Sequence, residues 1–274
     1  MDHRVVWVHG VGPTNPDYSV AWKNVFNEYF NFPDNDFITV FWRAVFTAMI
    51  NALREQTIAG APPPTAQEEA AVYKALATVL LARATAQRSD LLGEWSDLTS
   101  KAGTNEALLP DWVLNPDAFL GEFVKYLVYR DIRTAVKEKV KEKLRPLAGL
   151  GYDISIIAHS WGTVVAYESL IDLQQELPAF QLTNLFTLGS PLWLVQYLLD
   201  DPSGRKPANV ANWLNIHAQG DLIGSWLNPA FQVDQDYAVP DFSGGVDAHD
   251  SYFLKGNVAV QRDIVAANII AQST

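Results

Sequence analysis

Apolar positions along this chain fall into two kinds of pattern. Short runs rich in β-branched and aromatic residues occur at Arg4–Val8, Phe37–Trp42, Asp153–Ala158, Leu182–Leu188 and Ala211–Ala218, with a weaker one at Tyr237–Phe242. Runs of this length, several of them closed by glycine-containing turns, predict strands. Their nearly continuous apolar character fits strands covered on both faces, as in parallel sheets. Helical patterns separate them at Val20–Tyr29, Val164–Gln175 and Val258–Ala271, the last with Val258, Ile264, Val265 and Ile269 at near-helical spacing. The alternation predicts an α/β fold: a mostly parallel sheet with helices on both faces.

From about residue 44 to 149 this rhythm gives way to helix alone. Thr65-Ala66-Gln67-Glu68 is a capping box, opening a helix with Tyr73, Leu76 and Leu80 on one face. Arg130–Arg145 carries Ile132, Val136, Val140 and Leu144 one turn apart, and its Lys and Glu residues read as a solvated face. Between these helices, Trp95–Phe123 is rich in Trp, Leu and Phe and broken by Pro110 and Pro116, fitting either a substrate-covering cap or part of the core. The expected organisation is a single domain. Its core covers about 1–43 and 150–274, and a large helical insertion at about 44–149 precedes the strand at Asp153–Ala158.

Bulk properties narrow the function classes. A chain of 274 residues, 49% hydrophobic and 19% charged, buries a sizeable core and is not a disordered segment. A net charge of −11 argues against nucleic acid as the main partner, because phosphate binding needs a concentrated basic surface. Without cysteine there is no disulfide framework and no thiolate metal site. The first strand begins too early to leave room for a secretory leader. The best apolar run, Leu76–Ala82, stops at Arg83, short of the roughly 18 residues of a membrane span. A soluble, cytoplasmic protein with no stable membrane insertion is expected.

The densest chemical signal is Ile154-Ser155-Ile156-Ile157-Ala158-His159-Ser160-Trp161-Gly162-Thr163-Val164-Val165-Ala166. It reads as a buried strand, an abrupt turn and a helix. A serine at such a turn is held in a strained conformation with its hydroxyl presented outward. Its neighbours two before and two after must be small, because strand and helix nearly touch. Ala158 stands where the usual pattern has glycine.

A serine hydroxyl needs a base, and histidine has the matching pKa. Of the five histidines, His249 lies in the polar loop Gly244-Gly245-Val246-Asp247-Ala248-His249-Asp250, where a base belongs. His159 reads as a supporting neighbour and pocket candidate, His9 as part of a glycine-rich turn, and His217 as an interior strand residue; His3 precedes the first strand. The third group must accept a hydrogen bond from the far imidazole nitrogen. Asp221, just past the strand Ala211–Ala218, is preferred to Asp247 and Asp250, which are too close to His249 along the chain. Backbone N–H groups for a developing oxyanion are expected from Trp161 and from Val11 in Val8-His9-Gly10-Val11-Gly12-Pro13. Pro13 and Pro16, with no Gly-x-Gly-x-x-Gly, argue against a dinucleotide phosphate site there. The carboxylates Asp200-Asp201 and Asp234–Asp236 read as surface-loop residues, not metal ligands.

The order Ser160, Asp221, His249 is that of the α/β-hydrolases. Together, His9-Gly10, Ala158-His159-Ser160-Trp161-Gly162, Leu188-Gly189-Ser190-Pro191, Gly220-Asp221 and His249-x-Ser251-Tyr252-Phe253 resemble the lipase and serine-esterase branch of that superfamily. The resemblance covers about 1–43 and 150–274. It implies an α/β-hydrolase fold and cofactor-free hydrolysis of a small-molecule or lipid carboxylic ester through an acyl-enzyme. Gly10, His159, Ser190 and Pro191 are the expected pocket residues. An amidase, thioesterase or acyltransferase would use the same three residues. A non-catalytic binding protein on a hydrolase fold would typically have lost one of them.

Overall fold

Six strands, all parallel, form one sheet: β1 His3–Val8, β2 Phe37–Val40, β3 Asp153–His159, β4 Leu182–Leu188, β5 Val210–Ala218 and β6 Gln235–Val239. They lie in the order β2-β1-β3-β4-β5-β6. The computed structural model describes residues 2–11, 17–58, 66–92, 119–243 and 248–270. Two strands depart from their apolar runs. β2 stops at Val40, and Trp42 instead turns its indole Nε1 to the carbonyl of His9 at 3.0 Å. β6 starts two residues earlier than the run suggested and closes before Pro240, which has no N–H to give the ladder.

Strand register explains why the apolar runs are nearly continuous. Trp7, Ile157, Phe186 and Leu214 stand side by side across β1, β3, β4 and β5, and so, one residue earlier, do Val6, Ile156, Leu185 and Trp213. Successive side chains point to opposite faces, so both rows need cover, and all eight are buried. The first row packs with Phe26 and Phe30 of α1 (Tyr18–Phe30) and with Val260, Ile264, Val265 and Ile269 of the last helical segment. On the other face, Tyr167 of the helix Trp161–Glu176 stacks on Trp213 at 5.3 Å.

The last segment starts as α-helix at Val258–Val260, widens to a π-helix at Gln261–Ala266 and ends as α-helix at Ala267–Ile270. Its buried Gln261 donates from Nε2 to the carbonyls of Tyr252 (3.0 Å) and Leu254 (2.8 Å), anchoring the turn that follows β6.

The chain divides into two compact units, one of residues 1–46 and 134–274, the other of 47–133. The described residues of the second unit are helical. In it α3 (Ala66–Leu92) packs on α4 (Phe119–Val128), burying Leu76, Leu80, Leu120, Phe123 and Val124. Glu69 of α3 pairs with Lys125 of α4 at 3.1 Å and accepts from the Tyr129 hydroxyl at 2.9 Å. α2 (Arg43–Ile58) and α5 (Arg130–Leu144) each run from one unit into the other. Thr65 of the capping box, and residues 95–118 of the Trp/Leu/Phe-rich stretch, lie outside the described residues.

One expectation for α5 needs correction. Ile132, Val136, Val140 and Leu144 are buried as their spacing implied, but the charged flank is not all solvated. Lys137 and Lys141 are only 6% and 5% exposed. Lys137 Nζ lies 3.0 Å from Asp172 and 3.1 Å from Asp200, and Lys141 Nζ lies 2.7 Å from Glu176. These partners come from residues about thirty or more positions later, which no local pattern announces, while Glu138 on the same helix also reaches Lys141 at 3.3 Å. Long aliphatic stems let lysine line an apolar seam while the ammonium reaches its carboxylate.

Candidate active site

All three chemically singled-out residues sit beyond the carboxyl ends of strands. In an open parallel sheet, a crevice forms where neighbouring connections leave in opposite directions. Here β1 connects to β2 on one side while β3 connects to β4 on the other, so the switch falls between β1 and β3. Gly10-Val11 follows β1 and Ser160 follows β3.

Ser160 adopts φ 54° and ψ −129°, one of two non-glycine residues with positive φ among those described. A side chain held there costs on the order of 1–3 kcal/mol and persists only where its surroundings enforce it. They do. Its N–H donates to the Leu188 carbonyl at 2.9 Å, and its own carbonyl accepts from the Thr163 hydroxyl at 2.6 Å. Thr163 Oγ1 also lies 2.8 Å from Ser190 Oγ, tying the helix start to the turn after β4.

Glycine is required on both sides of this turn by close approach. A Cβ on Gly162 would stand 2.4 Å from the carbonyl oxygens of Val8 and His9, and one on Gly10 would stand 2.6 Å from Ser160 Cβ. The Gly10 backbone therefore lies directly against the serine. Trp161 is the first residue of its helix, and first-turn N–H groups point out of the N-terminus.

His249 and Asp221 are joined. His249 Nδ1 lies 3.0 Å from Asp221 Oδ1 and 3.1 Å from Oδ2. Oδ1 also accepts from the N–H groups of Ile223 and Gly224, both at 2.8 Å, and Oδ2 from the Tyr252 hydroxyl at 2.6 Å. Burial of Asp221 works against its charge. The His249 ring and the hydrogen bonds from His249, Tyr252 and Gly224 outweigh it and hold the carboxyl well below the usual carboxylate range. An ionised Asp221 assigns the imidazole proton to Nδ1 and leaves Nε2 with the lone pair.

Ser160 itself is 1% exposed, and its Oγ makes no hydrogen bond among the described residues. His249 Nε2 is likewise buried without a hydrogen-bond partner among the described residues. Catalytic hydrogen bonds commonly tighten only when substrate is in place.

His159 donates no bond to the serine. Its Nε2 meets the His249 carbonyl at 2.8 Å, and its ring packs edge-on to Trp22 and Phe253. Burial, reinforced by the neighbouring His249, lowers its pKa to about 4, so it is neutral near pH 7 and holds the loop that carries His249. Ser190 and Pro191, expected at the pocket, are both buried, with Ser190 turned to Thr163 and Pro191 opening the short helix Leu192–Val195. His9 stacks on Trp42 at 4.7 Å, and burial lowers its pKa to about 4. His3 bonds Ser155, and His217 packs edge-on to Trp226 at 4.5 Å. Asp250 is exposed, 4.0 Å from His159 Nε2; Asp247, Gly12, Pro13 and Pro16 lie outside the described residues. Asp200, Asp201 and Asp234 pair with Lys137, Arg205 and Lys206, while Asp236 takes backbone N–H groups of Leu227 and Asn228.

Tyr252 has a part that sequence reasoning missed. Its motif was visible, but its reach to Asp221 follows only from the fold.

No protein-family profile matches the chain, and no curated protein matches it. Among solved structures, an uncharacterized protein from Pseudomonas aeruginosa is similar at TM-score 0.35 and 11% identity, over 97% of this chain and 45% of that one. This chain therefore spans less than half the length of that protein. A likeness so distant assigns no activity, and function has to be argued from the chemistry of the residues just described.

Proposed function

We propose that this chain is a serine hydrolase of the α/β-hydrolase type, akin to lipases and esterases, cleaving a carboxylic ester through an acyl-enzyme on Ser160. The observation that carries the reading is the buried, ionised Asp221 bonded to His249 Nδ1 beside a serine held at positive φ. Neither feature stabilises the fold cheaply: one buries a charge and the other strains a backbone. Both are what an activated serine requires.

The mechanism follows from these groups. Once Nε2 of His249 and Oγ of Ser160 come within about 3 Å, the imidazole takes the hydroxyl proton as the oxygen attacks the ester carbonyl. The N–H groups of Val11 and Trp161 receive the oxyanion. The intermediate collapses, the alkoxide leaves with the proton held by His249, and an acyl-Ser160 ester remains. Water, deprotonated by His249, attacks that ester; the acid departs and Ser160 regains its proton. Throughout, Asp221 stays ionised and stabilises the imidazolium. Amides, thioesters and acyl transfer to an alcohol would use the same groups.

Hydrolysis of p-nitrophenyl esters of increasing acyl length tests this. Wild type is expected to turn over at least one member of the series. Ser160→Ala is expected to lose about a thousandfold or more of that rate. Retained turnover in Ser160→Ala overturns the assignment of the nucleophile, and absence of turnover and of acyl-enzyme in wild type points to a binding protein instead.

A further inference from the structure

We propose that Tyr252 is a positioning residue: its hydroxyl, locked by the Ala218 N–H, clamps the Asp221 carboxylate and sets how strongly that carboxylate raises the basicity of His249. The inference rests on the Ser160–His249–Asp221 reading and adds a fourth member to it.

A phenol has one proton to give and lone pairs to accept with. The Ala218 N–H occupies an acceptor position on Tyr252 Oη at 2.8 Å. The single proton is then directed to Asp221 Oδ2, 2.6 Å away. The ring is fully buried, so water does not compete for either contact. A short bond from a neutral donor to an ionised acceptor is among the stronger hydrogen bonds a protein makes. It also draws negative charge off Oδ2, the oxygen that His249 Nδ1 approaches to 3.1 Å.

Tyr252 lies three residues beyond His249, on the short helical turn Ser251–Phe253. One turn thus carries both the base and the clamp on its carboxylate. The turn is itself held: Ser251 Oγ donates to the Ala248 carbonyl (2.9 Å), Asn257 Nδ2 to the Ser251 carbonyl (2.9 Å) and Gln261 Nε2 to the Tyr252 carbonyl (3.0 Å). A shift of this turn moves His249 and Tyr252 together across the same carboxylate.

Other titratable groups frame the pair. From the end of β3, His159 faces both rings, with centroids 4.7 Å from His249 and 5.8 Å from Tyr252. His9, after β1, feels the charge of His159, and Asp250 on the turn itself lies 4.0 Å from His159 Nε2.

The test is an NMR titration of the His249 ring in the full chain, run on wild type, Tyr252→Phe and a protein with 3-fluorotyrosine at position 252. Loss of the donor in Tyr252→Phe leaves a more basic carboxylate, and the His249 pKa is expected to rise by about half a unit or more. The fluorinated phenol is a stronger donor of nearly the same shape, and the pKa is expected to fall. If Tyr252→Phe does not fold, the fluorotyrosine protein alone decides. In ester hydrolysis, kcat of Tyr252→Phe is expected to drop about tenfold with KM within about twofold, and the acid limb of the rate profile to move up in pH. A residue that only fills space would shift neither titration nor limb. Identical His249 titrations, or movement opposite to these signs, overturn the proposal. The titration needs no turnover, so it decides the part of Tyr252 even if wild type proves inactive on every ester.

Discussion

Asp221 and His249, 28 residues apart in the chain, meet with the imidazole Nδ1 between both carboxylate oxygens, at 3.0 and 3.1 Å. Two strand ends bring them there, since Asp221 follows β5 and His249 follows the neighbouring β6. The carboxylate takes further donors from Ile223, Gly224 and Tyr252, so a buried charge is satisfied on all sides. Such a group fixes the ring's tautomer as well as its position.

Asp221→Asn keeps the shape but reverses that tautomer preference, because an amide nitrogen in the same place donates. Hydrolysis near neutral pH is expected to fall by about 10³–10⁴-fold with the fold retained. Steady-state kinetics alongside circular dichroism checks this, and a loss below about tenfold would show that Asp221 does not orient the base.

Removing the Ser160 hydroxyl is expected to stabilise the protein. Ser160 buries a hydroxyl without a hydrogen bond and holds positive φ. Ser160→Ala relieves the first and Ser160→Gly relieves both. Expected gains are about 1 kcal/mol for alanine and about 2 for glycine, or a few degrees in Tm. Calorimetry decides: equal or lower melting temperatures for both variants would mean that the turn is not strained.

Stability is also expected to depend on pH below neutrality. His159 and His9 have folded pKa values lowered to about 4, mainly by burial. Unfolded histidine titrates near about 6.5. Between those values the unfolded chain binds protons that the folded one refuses, so stability falls as pH falls, by roughly 1.4 kcal/mol per histidine per pH unit. Asp221, depressed below the usual range, adds a later loss as pH drops below about 4 and through its folded value. Urea midpoints at about pH 7, 6 and 5 are expected to decline steadily; a flat series contradicts neutral burial of these two rings.

Gly162→Ala drives a methyl group into two backbone carbonyls, neither on a flexible side chain. The expected cost is about 3 kcal/mol. Gly149→Ala is the control, since that glycine, unlike Gly162, has positive φ (74°) but has nothing within 4 Å of an added Cβ. Its cost is expected to stay near 1 kcal/mol. Similar losses in denaturant midpoint for both would remove the argument from close approach.

Much of this was legible in the sequence because parallel strands buried on both faces write nearly unbroken apolar runs, and a serine between small residues at a strand end leaves its own mark. Asp221 was legible as the carboxylate just past a strand end, whereas Asp250 proves to be exposed near His159. What escaped is what depends on distant residues. Tyr252 reaches Asp221 only because β6 lies beside β5, and Lys137 and Lys141 are buried only because Asp172, Asp200 and Glu176 come to meet them. The π-helical widening at Gln261–Ala266, which accompanies the bonds from Gln261 to the Tyr252 turn, has no counterpart in a 3.6-residue periodicity.

The most direct test of an activated Ser160 is covalent labelling with a fluorophosphonate, followed by mass spectrometry of the peptides. Only a serine whose proton is taken by a base reacts at a useful rate. The expected result is a single adduct on Ser160, lost in Ser160→Ala and His249→Ala and slowed in Asp221→Asn. No adduct, or an adduct on another serine that persists in Ser160→Ala, would contradict it.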